Sequence, residues 1–393
     1  MKIFVLGNIN AGKSYAIERL HRLLPDYSVL QVDEYRKQYC DGSIEKEEWL
    51  WSYFANEVLA QEKAIVEFSG GGKIAENIIA GLIPKTCIIL KIVEDVAVCL
   101  NRIKTKDFSN TPYPKYPGAE SLEETIVRID RNMKDGIIER TWSSSAIQIY
   151  DLENIEDLNK IPFVHYEKAI KLINLYQGTD NKLFTFGSIG RGELTVNSDI
   201  DMFLLSNKNA EYHAKKLYNA FENVSVMGNE VVIREDGVLL ELDVIQNVNE
   251  AELFYSTGNI KDVKATIIFG DELLEKKLTE FKDKRRNISE ELKFITERLN
   301  YYVLSLLPLM RKRDEYKYFF HNNIVVHEYV KIKAILAGIT DYNYLPLMAK
   351  QYLTDNEWSK IIYSFGDDME KHYKIVKNLS DEIIRNVKEK YDL

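Results

Sequence analysis

Cysteine is scarce. Cys40, Cys87 and Cys99 are the only three in 393 residues, and they cannot all pair. Their spacing fits no metal-ligand pattern, which argues against both a disulfide framework and a cysteine metal site. No apolar run approaches the ~18 residues that a membrane span needs. The chain enters a strand at once, Ile3–Leu6, without the basic start, long apolar stretch and small-residue cleavage site of a secretion signal. A reducing cytoplasm is the expected setting, with no membrane partner.

Positive charge is also lacking. The net charge is −9, and residues 285–393 hold 18 Lys and Arg against 16 Asp and Glu, leaving 34 against 45 on residues 1–284. That acidic body suits a long phosphate backbone poorly, because such binding depends on cation neutralisation. Nucleic acid is disfavoured as a partner, and small substrates fit better. The cluster Arg311-Lys312-Arg313 reads as a solvated helix face. Internal repeats are absent, and only Ser109–Gly118, with three prolines and two tyrosines, is of low complexity.

What is present reads as α/β followed by α. The length suggests two or three domains. Apolar, β-branched runs at Ile3–Leu6, Ser28–Val32, Ala64–Glu67, Cys87–Val93 and Ala146–Tyr150 alternate with helical patterns such as Ser14–Leu24 and Ile44–Gln61. Such alternation predicts a parallel sheet covered by helices. A polar connection over 152–163 and a helix over 164–177 lead to a second α/β region. Its strands are expected at Leu183–Phe186, Ile200–Leu205, Val231–Arg234 and Val238–Ile245, the last two joined by the hairpin signal Asp236-Gly237. From Ile288 apolar residues recur at helical spacing, in Leu292–Leu307, Asn323–Ala337 and Trp358–Val387. The expected domains are 1–155, 164–284 and 285–393.

The chemistry concentrates in two segments. In the first, Phe186-Gly187-Ser188 turns from a strand into a helix that carries Arg191, and Ser198-Asp199-Ile200-Asp201 follows. Gly187 and Ser188 let backbone amides approach a triphosphate at a helix start, and Ser188 adds a hydroxyl. Arg191 is read as structural or as a phosphate partner. Asp199 and Asp201 point to one face of a strand. Two carboxylates forced together suit a divalent cation, and Mg²⁺ is held by carboxylates plus substrate phosphates. A third acid is expected from Val238–Ile245, which offers Asp243 and Glu241 on a common face. Asp243 is favoured as metal ligand or base, with Glu241 as the second choice for the base.

Residues 187–201 resemble the Gly-Ser-x-x-Arg-Gly and Ser-Asp-x-Asp elements of the DNA polymerase β-like nucleotidyltransferases. The likeness is greatest to the minimal and antibiotic-modifying members, such as the aminoglycoside and lincosamide nucleotidyltransferases. It implies transfer of a nucleoside monophosphate, usually AMP, from a triphosphate to a hydroxyl, with Mg²⁺. Thr266–Asp271 resembles a stretch that follows the catalytic domain in those enzymes, and the helical remainder stands where they place substrate recognition. Glu328, His321, His327 and Lys331 read as structural or surface residues there, and Asn322-Asn323 as a helix N-cap.

The second segment, Gly7-Asn8-Ile9-Asn10-Ala11-Gly12-Lys13-Ser14, matches G-x-x-x-x-G-K-S between a predicted strand and helix. Gly7 and Gly12 shape the loop around phosphates, Lys13 reaches the β/γ-phosphates and Ser14 meets Mg²⁺. The second strand is expected to run into Val32–Arg36, which resembles the acceptor side of P-loop small-molecule and nucleotide kinases. That resemblance makes Asp33 the candidate general base and Arg36 an acceptor contact. Glu67 ends the third strand as an acid that could orient Mg²⁺. Arg102, Arg128 and Arg131 resemble the arginines of a kinase lid. The expected function is a bifunctional kinase and nucleotidyltransferase using ATP or another nucleoside triphosphate on a small hydroxyl acceptor. Open alternatives are a transferase with a regulatory P-loop domain, and an RNA- or tRNA-directed enzyme or toxin.

Overall fold

Two β-sheets carry the two motifs. In a computed structural model of the protein, residues 1–104, 113, 121–257, 260–284, 288–338, 352–362 and 369–391 are described. Apart from Tyr113, the Ser109–Gly118 stretch lies outside them.

The first sheet contains β1 (Lys2–Gly7), β2 (Ser28–Gln31), β3 (Ala64–Phe68), β4 (Cys87–Ile92) and β5 (Ala146–Leu152). Their spatial order is β2-β3-β1-β4-β5, with every pairing parallel. Strands β1, β3 and β4 are apolar on both faces and almost wholly buried, as central strands between helix layers must be. The helices are α1 (Lys13–Leu23), α2 (Val32–Tyr39), α3 (Ile44–Ala60), α4 (Gly72–Gly81), α5 (Val96–Ile103), α6 (Leu122–Lys134) and α7 (Ile137–Trp142). One expectation fails. β2 stops at Gln31, and Val32–Arg36 form the first turns of α2 instead of extending the strand. Val32 is buried while Asp33 and Glu34 occupy the first helical turn, where acidic groups complement the helix dipole.

The second sheet is mixed, in the order β11-β6-β7-β10-β9-β8. Its strands are β6 (Lys182–Thr185), β7 (Ile200–Leu205), β8 (Val224–Met227), β9 (Glu230–Glu235), β10 (Val238–Ile245) and β11 (Ile267–Phe269). Asp236 and Gly237 both take positive φ, 53° and 77°, and join β9 to β10 as the sequence predicts. Helices α8 (Phe163–Tyr176), α9 (Gly187–Arg191) and α10 (Ala210–Leu217) accompany it. Thr266–Asp271 supplies β11 and a cap, in which Asp271 accepts from the Leu274 amide at 2.9 Å and pairs with Lys182 at 2.6 Å.

One apolar core runs from Ile3 and Val5 of the first sheet, through Tyr166, Leu172 and Ile173 of α8, to Leu183, Met202 and Leu242 of the second. Accordingly Met1–Glu250 and Asp262–Glu275 make one compact unit. Ala251–Lys261 and Lys276–Leu393 make a second.

The second unit is helical, with long helices at Ile288–Arg311, Glu315–Leu336 and Met369–Tyr391 packed on Leu292, Leu299, Val325, Ile332 and Val376. Asp314 caps the second of these, accepting from the Lys317 amide at 3.2 Å. The expected cap, Asn322-Asn323, lies inside that helix, with Asn322 fully buried. Apolar residues surround this helix on several sides, so sequence periodicity gave no clear start. His321 bonds Ser305 through Nδ1 at 2.6 Å, and buried Glu328 lies 3.4 Å from Arg298. His327 and Lys331 lie on the same helix, and Arg311–Arg313 are exposed at its preceding turn. No helix among the described residues is long and apolar enough to cross a membrane.

The shared core makes a measurable demand. Truncating a fully buried aliphatic side chain costs about 2–5 kcal/mol. Leu172→Ala should therefore lower the amide-exchange protection of β4 and β7 together, read by hydrogen-exchange mass spectrometry. Loss of protection in β7 alone would mean that the sheets are independent.

Candidate active sites

The acidic site is built by one tight turn and one strand register. β6 leads into Phe186, whose ring stacks on Phe203 of β7 at 4.2 Å and whose amide donates to the Asp201 carbonyl at 3.2 Å. Gly187 then turns with φ +59°, and a Cβ placed there would sit 1.8 Å from Asp201 Oδ2. Only glycine leaves room for that carboxylate. A small residue here is expected to let amides approach phosphate, but the sharper constraint is Asp201 itself. Ser188 Oγ donates to the Asp199 carbonyl at 3.4 Å, tying the turn to the next strand. Gly192, with φ +72°, ends α9, and a Cβ there would meet Gln148 Oε1 of β5 at 3.0 Å.

Thr195 and Ser198 close a turn through Ser198 Oγ, which accepts from the Thr195 amide at 3.0 Å, and the chain then enters β7. β10 runs parallel to β7 with Glu241 opposite Asp201 and Asp243 opposite Phe203. Asp199, Asp201 and Glu241 can bring one oxygen each within 4.8 Å of the others. Asp243, the sequence favourite, stands two residues further along β10 and is not in that group. It lies opposite Glu230 of β9.

The electrostatics agree with this crowding. Burial, then the charges of Asp199, Glu241 and Asp243, push the Asp201 carboxyl up to about 7, while Arg191 opposes them. Asp201 is only 9% exposed. Burial and Glu230 push Asp243 up to about 6. Burial, Glu230, Asp199 and Asp243 raise Glu241, against Arg234. Arg191 is itself bonded to Glu193 at 2.8 Å. Among the described residues no lysine or arginine forms an ion pair with Asp199, Asp201 or Glu241. Three close carboxylates, all oxygen donors and opposed by one another, are the donor set that Mg²⁺ takes.

The second site surrounds the phosphate loop at the carboxyl ends of the first sheet, where ligands of open parallel sheets bind. A cavity of ≈ 920 Å³ is lined by Lys13, Ser14, Asp33, Glu67, Arg102 and Tyr113, among others. Gly12 takes φ +97°, and the Gly7 position leaves its Cβ direction against Ile92 at 3.2 Å. Lys13 Nζ donates to the carbonyls of Gly7 and Asn8 at 3.2 and 2.8 Å and lies 3.3 Å from Glu67. Ser14 is exposed at the start of α1. Arg102 donates to the Asn10 carbonyl at 2.7 Å and pairs with Glu94 at 2.9 Å. Arg128 and Arg131 are exposed on α6 and are not among the described residues lining this cavity.

Asp33 faces the cavity from α2, its Oδ1 accepting from Arg36 at 2.8 Å and its Oδ2 from the Tyr113 hydroxyl at 3.0 Å. Arg36 also donates to buried Glu47 of α3, through Nε at 3.1 Å to each oxygen and through Nη2 at 2.6 Å. Trp51 Nε1 completes the shell of Glu47 at 3.0 Å. Against the cost of burial, Glu47 and Asp33 hold the Arg36 guanidinium charged, well above its ordinary range. Arg36, expected as an acceptor contact, directs its donors to Glu47 and Asp33. Glu47 and Tyr113 were missed. A glutamate near a helix start reads as a dipole partner, and only the fold turns it inward.

Two consequences can be measured. A carboxylate whose folded pKa is raised binds its proton more tightly in the native state. Without metal, stability should therefore fall as the pH rises from ~4 through about 7, and saturating Mg²⁺ should remove that fall. Thermal melts at several pH values, with and without MgCl₂, test this, and a metal-free protein most stable at pH 8 would contradict the crowded site. Gly187→Ala should abolish the Mg²⁺-dependent rise in melting temperature while leaving the circular dichroism spectrum intact, because its methyl displaces Asp201.

Residues 167–325 match a family model described as nucleotidyltransferase domain. Comparison with curated proteins gives no match. Among solved structures, a nucleotidyltransferase-like protein from Exiguobacterium sibiricum is 11% identical, with 57% of this chain and 76% of that one covered and a TM-score of 0.32. A shikimate kinase from Acinetobacter baumannii in complex with shikimate is 17% identical, covering 45% of this chain and 95% of that one, with a TM-score of 0.29. A gluconokinase from Sinorhizobium meliloti is 16% identical, covering 45% and 97%, with a TM-score of 0.27. The first fold is identified by its own features, a five-stranded parallel sheet whose central strand runs into G-x-x-x-x-G-K-S. Residues 167–325 thus match a nucleotidyltransferase domain, and they follow a parallel-sheet domain that carries a phosphate-loop motif.

Proposed function

We propose that this chain is a bifunctional, Mg²⁺-dependent transferase that moves a nucleoside monophosphate at one site and a phosphoryl group at the other, each to a hydroxyl of a small molecule. The observation that carries the reading is the convergence of Asp199, Asp201 and Glu241 beside the Gly187-Ser188 turn. These three carboxylates would hold Mg²⁺, which supplies charge neutralisation for an in-line displacement at phosphorus. Ser188 and the adjacent amides would orient the triphosphate. Asp243, outside the triad and pushed up to about 6 by burial and Glu230, would take the acceptor's proton near neutral pH. ATP is the proposed donor and AMP the group transferred. An antibiotic-like polyhydroxylated compound is one acceptor of suitable chemistry, and the acidic surroundings favour one that carries amines.

At the P-loop, Lys13 and the loop amides would bind the phosphates of a second ATP, and Ser14 with Glu67 would serve its Mg²⁺. Asp33, oriented by Arg36, would act as the base toward an acceptor hydroxyl. A second reading, in which the P-loop nucleotide only regulates the transferase, is favoured by the closeness of the first sheet's edge to the Gly192 turn, where an added Cβ would meet Gln148 Oε1 at 3.0 Å. A cytoplasmic setting fits both.

The two activities leave different products. With ATP, Mg²⁺ and a panel of metabolites and antibiotics, Asp199→Ala should abolish pyrophosphate release and retain ADP formation. Lys13→Ala should do the reverse, each loss being at least about a hundredfold, the scale of removing one charge-stabilising group. Mass spectrometry of the panel identifies the acceptor. If Lys13→Ala leaves all products unchanged, the regulatory reading holds instead.

A further inference from the structure

Tyr113 is a part of the P-loop cavity that the chemistry above leaves unused. Its hydroxyl donates to Asp33 Oδ2 at 3.0 Å, and the Arg36 guanidinium lies 5.3 Å from its ring centre. Arg36 occupies the other oxygen of Asp33 and is fixed from behind by Glu47. A general base must stand within hydrogen-bond reach of the hydroxyl whose proton it takes. If Asp33 is that base, the oxygen bonded to its Oδ2 marks the acceptor position, and that oxygen belongs to the protein's own tyrosine. Tyr113 lines the same cavity as Lys13, Ser14, Glu67 and Arg102. The cavity's ≈ 920 Å³ is within the ~300–1,000 Å³ range of small-molecule sites. Burial and the charge of Asp33 hold the phenol above its ordinary value, so it is a neutral donor that needs a base to react.

We propose that Tyr113 is a phosphoryl acceptor of this chain's own P-loop site, so that the protein phosphorylates itself in cis. The proposal rests on the kinase reading of Lys13 and Asp33. Tyr113 Oη forms a bond to the γ-phosphorus of ATP. The bond from that phosphorus to the β,γ-bridging oxygen breaks, and its electron pair leaves with ADP. The phenolic proton passes to Asp33 Oδ2. The phosphotyrosine then carries about −1.5 to −2 charges against the Asp33 carboxylate, and repulsion turns the side chain away from the base. Self-phosphorylation thereby clears the acceptor position for an external hydroxyl. Tyr15 is an internal comparison. It also lines the cavity and is 57% exposed, yet its hydroxyl makes no bond to Asp33.

The test uses the full chain carrying Asp199→Ala, which silences nucleotidyl transfer. This protein is incubated with MgCl₂ and ATP, and is followed by intact mass, peptide mapping and ADP release. The expected result is a gain of one phosphoryl group mapped to Tyr113, at a rate independent of protein concentration. Tyr113→Phe and Asp33→Asn should each abolish it, and so should Lys13→Ala, which excludes a contaminating kinase. Tyr113→Phe should still bind ATP, measured by calorimetry. ADP release with no phosphoryl on the protein, or with the group on Tyr15, overturns the proposal and leaves the kinase reading standing. If neither ADP nor phosphoprotein forms, and no panel compound is phosphorylated, both fall together.

Discussion

Mutual repulsion among carboxylates is the constraint around which the transferase half is arranged. Asp201 and Glu241 are partners in adjacent parallel strands, and Asp199 stands two residues before Asp201. At an effective dielectric of ~20, unit charges at such a separation repel by about 3 kcal/mol, more than most single contacts contribute. The protein accepts this cost on the two central strands of the sheet. Met202, Leu204 and Leu242 bury the opposite faces of the two strands, so the acids cannot retreat without exposing the core. Gly187 shows how closely the surroundings follow Asp201, since the backbone passes where any side chain would strike its oxygen.

The two halves are held in one body by α8. Its Tyr166 hydroxyl bonds that of Tyr150 on β5 at 2.7 Å, its Glu167 accepts from Tyr27, and its Lys168 pairs with Glu235 of β9 at 3.1 Å. Between these polar ties, Ala169, Leu172 and Ile173 are buried in the continuous core. Burial at this scale is worth roughly 25 cal/mol per Å² of apolar surface, so a helix buried between both sheets is far stronger than a tether. The first sheet thus comes close to the transferase turn, where Gln148 leaves no room for a Cβ on Gly192.

Much of this was legible in the sequence because the signals were local. Strand alternation, G-x-x-x-x-G-K-S, Ser-Asp-x-Asp and Asp-Gly each draw on physics that acts within a few residues. What escaped depends on register and on long-range packing. Nothing in Val238–Ile245 distinguishes Glu241 from Asp243, because both point to one face, and only the pairing with β7 puts Glu241 opposite Asp201. Val32–Arg36 read as strand because Val32 is β-branched, yet its burial at the start of α2 outweighs that weak propensity. Glu47 is separated by 11 residues from the arginine it fixes, and no short pattern links them.

The two sites handle negative charge in opposite ways. At the P-loop Asp33, Glu47 and Glu67 each have a protein cation. Glu67 meets Lys13, and Asp33 and Glu47 share Arg36. At the transferase site Asp199, Asp201 and Glu241 have no such ion pair among the described residues, and Arg191 and Arg234 act on them only at a distance. Asp33, Glu47 and Glu67 are thus paired within the fold, whereas Asp199, Asp201 and Glu241 have no paired cation among the described residues. A divalent ion should therefore act on this protein's stability mainly through the second sheet. Because one core joins both sheets, that stabilisation reaches the phosphate loop as well, with no contact between the ion and the loop required.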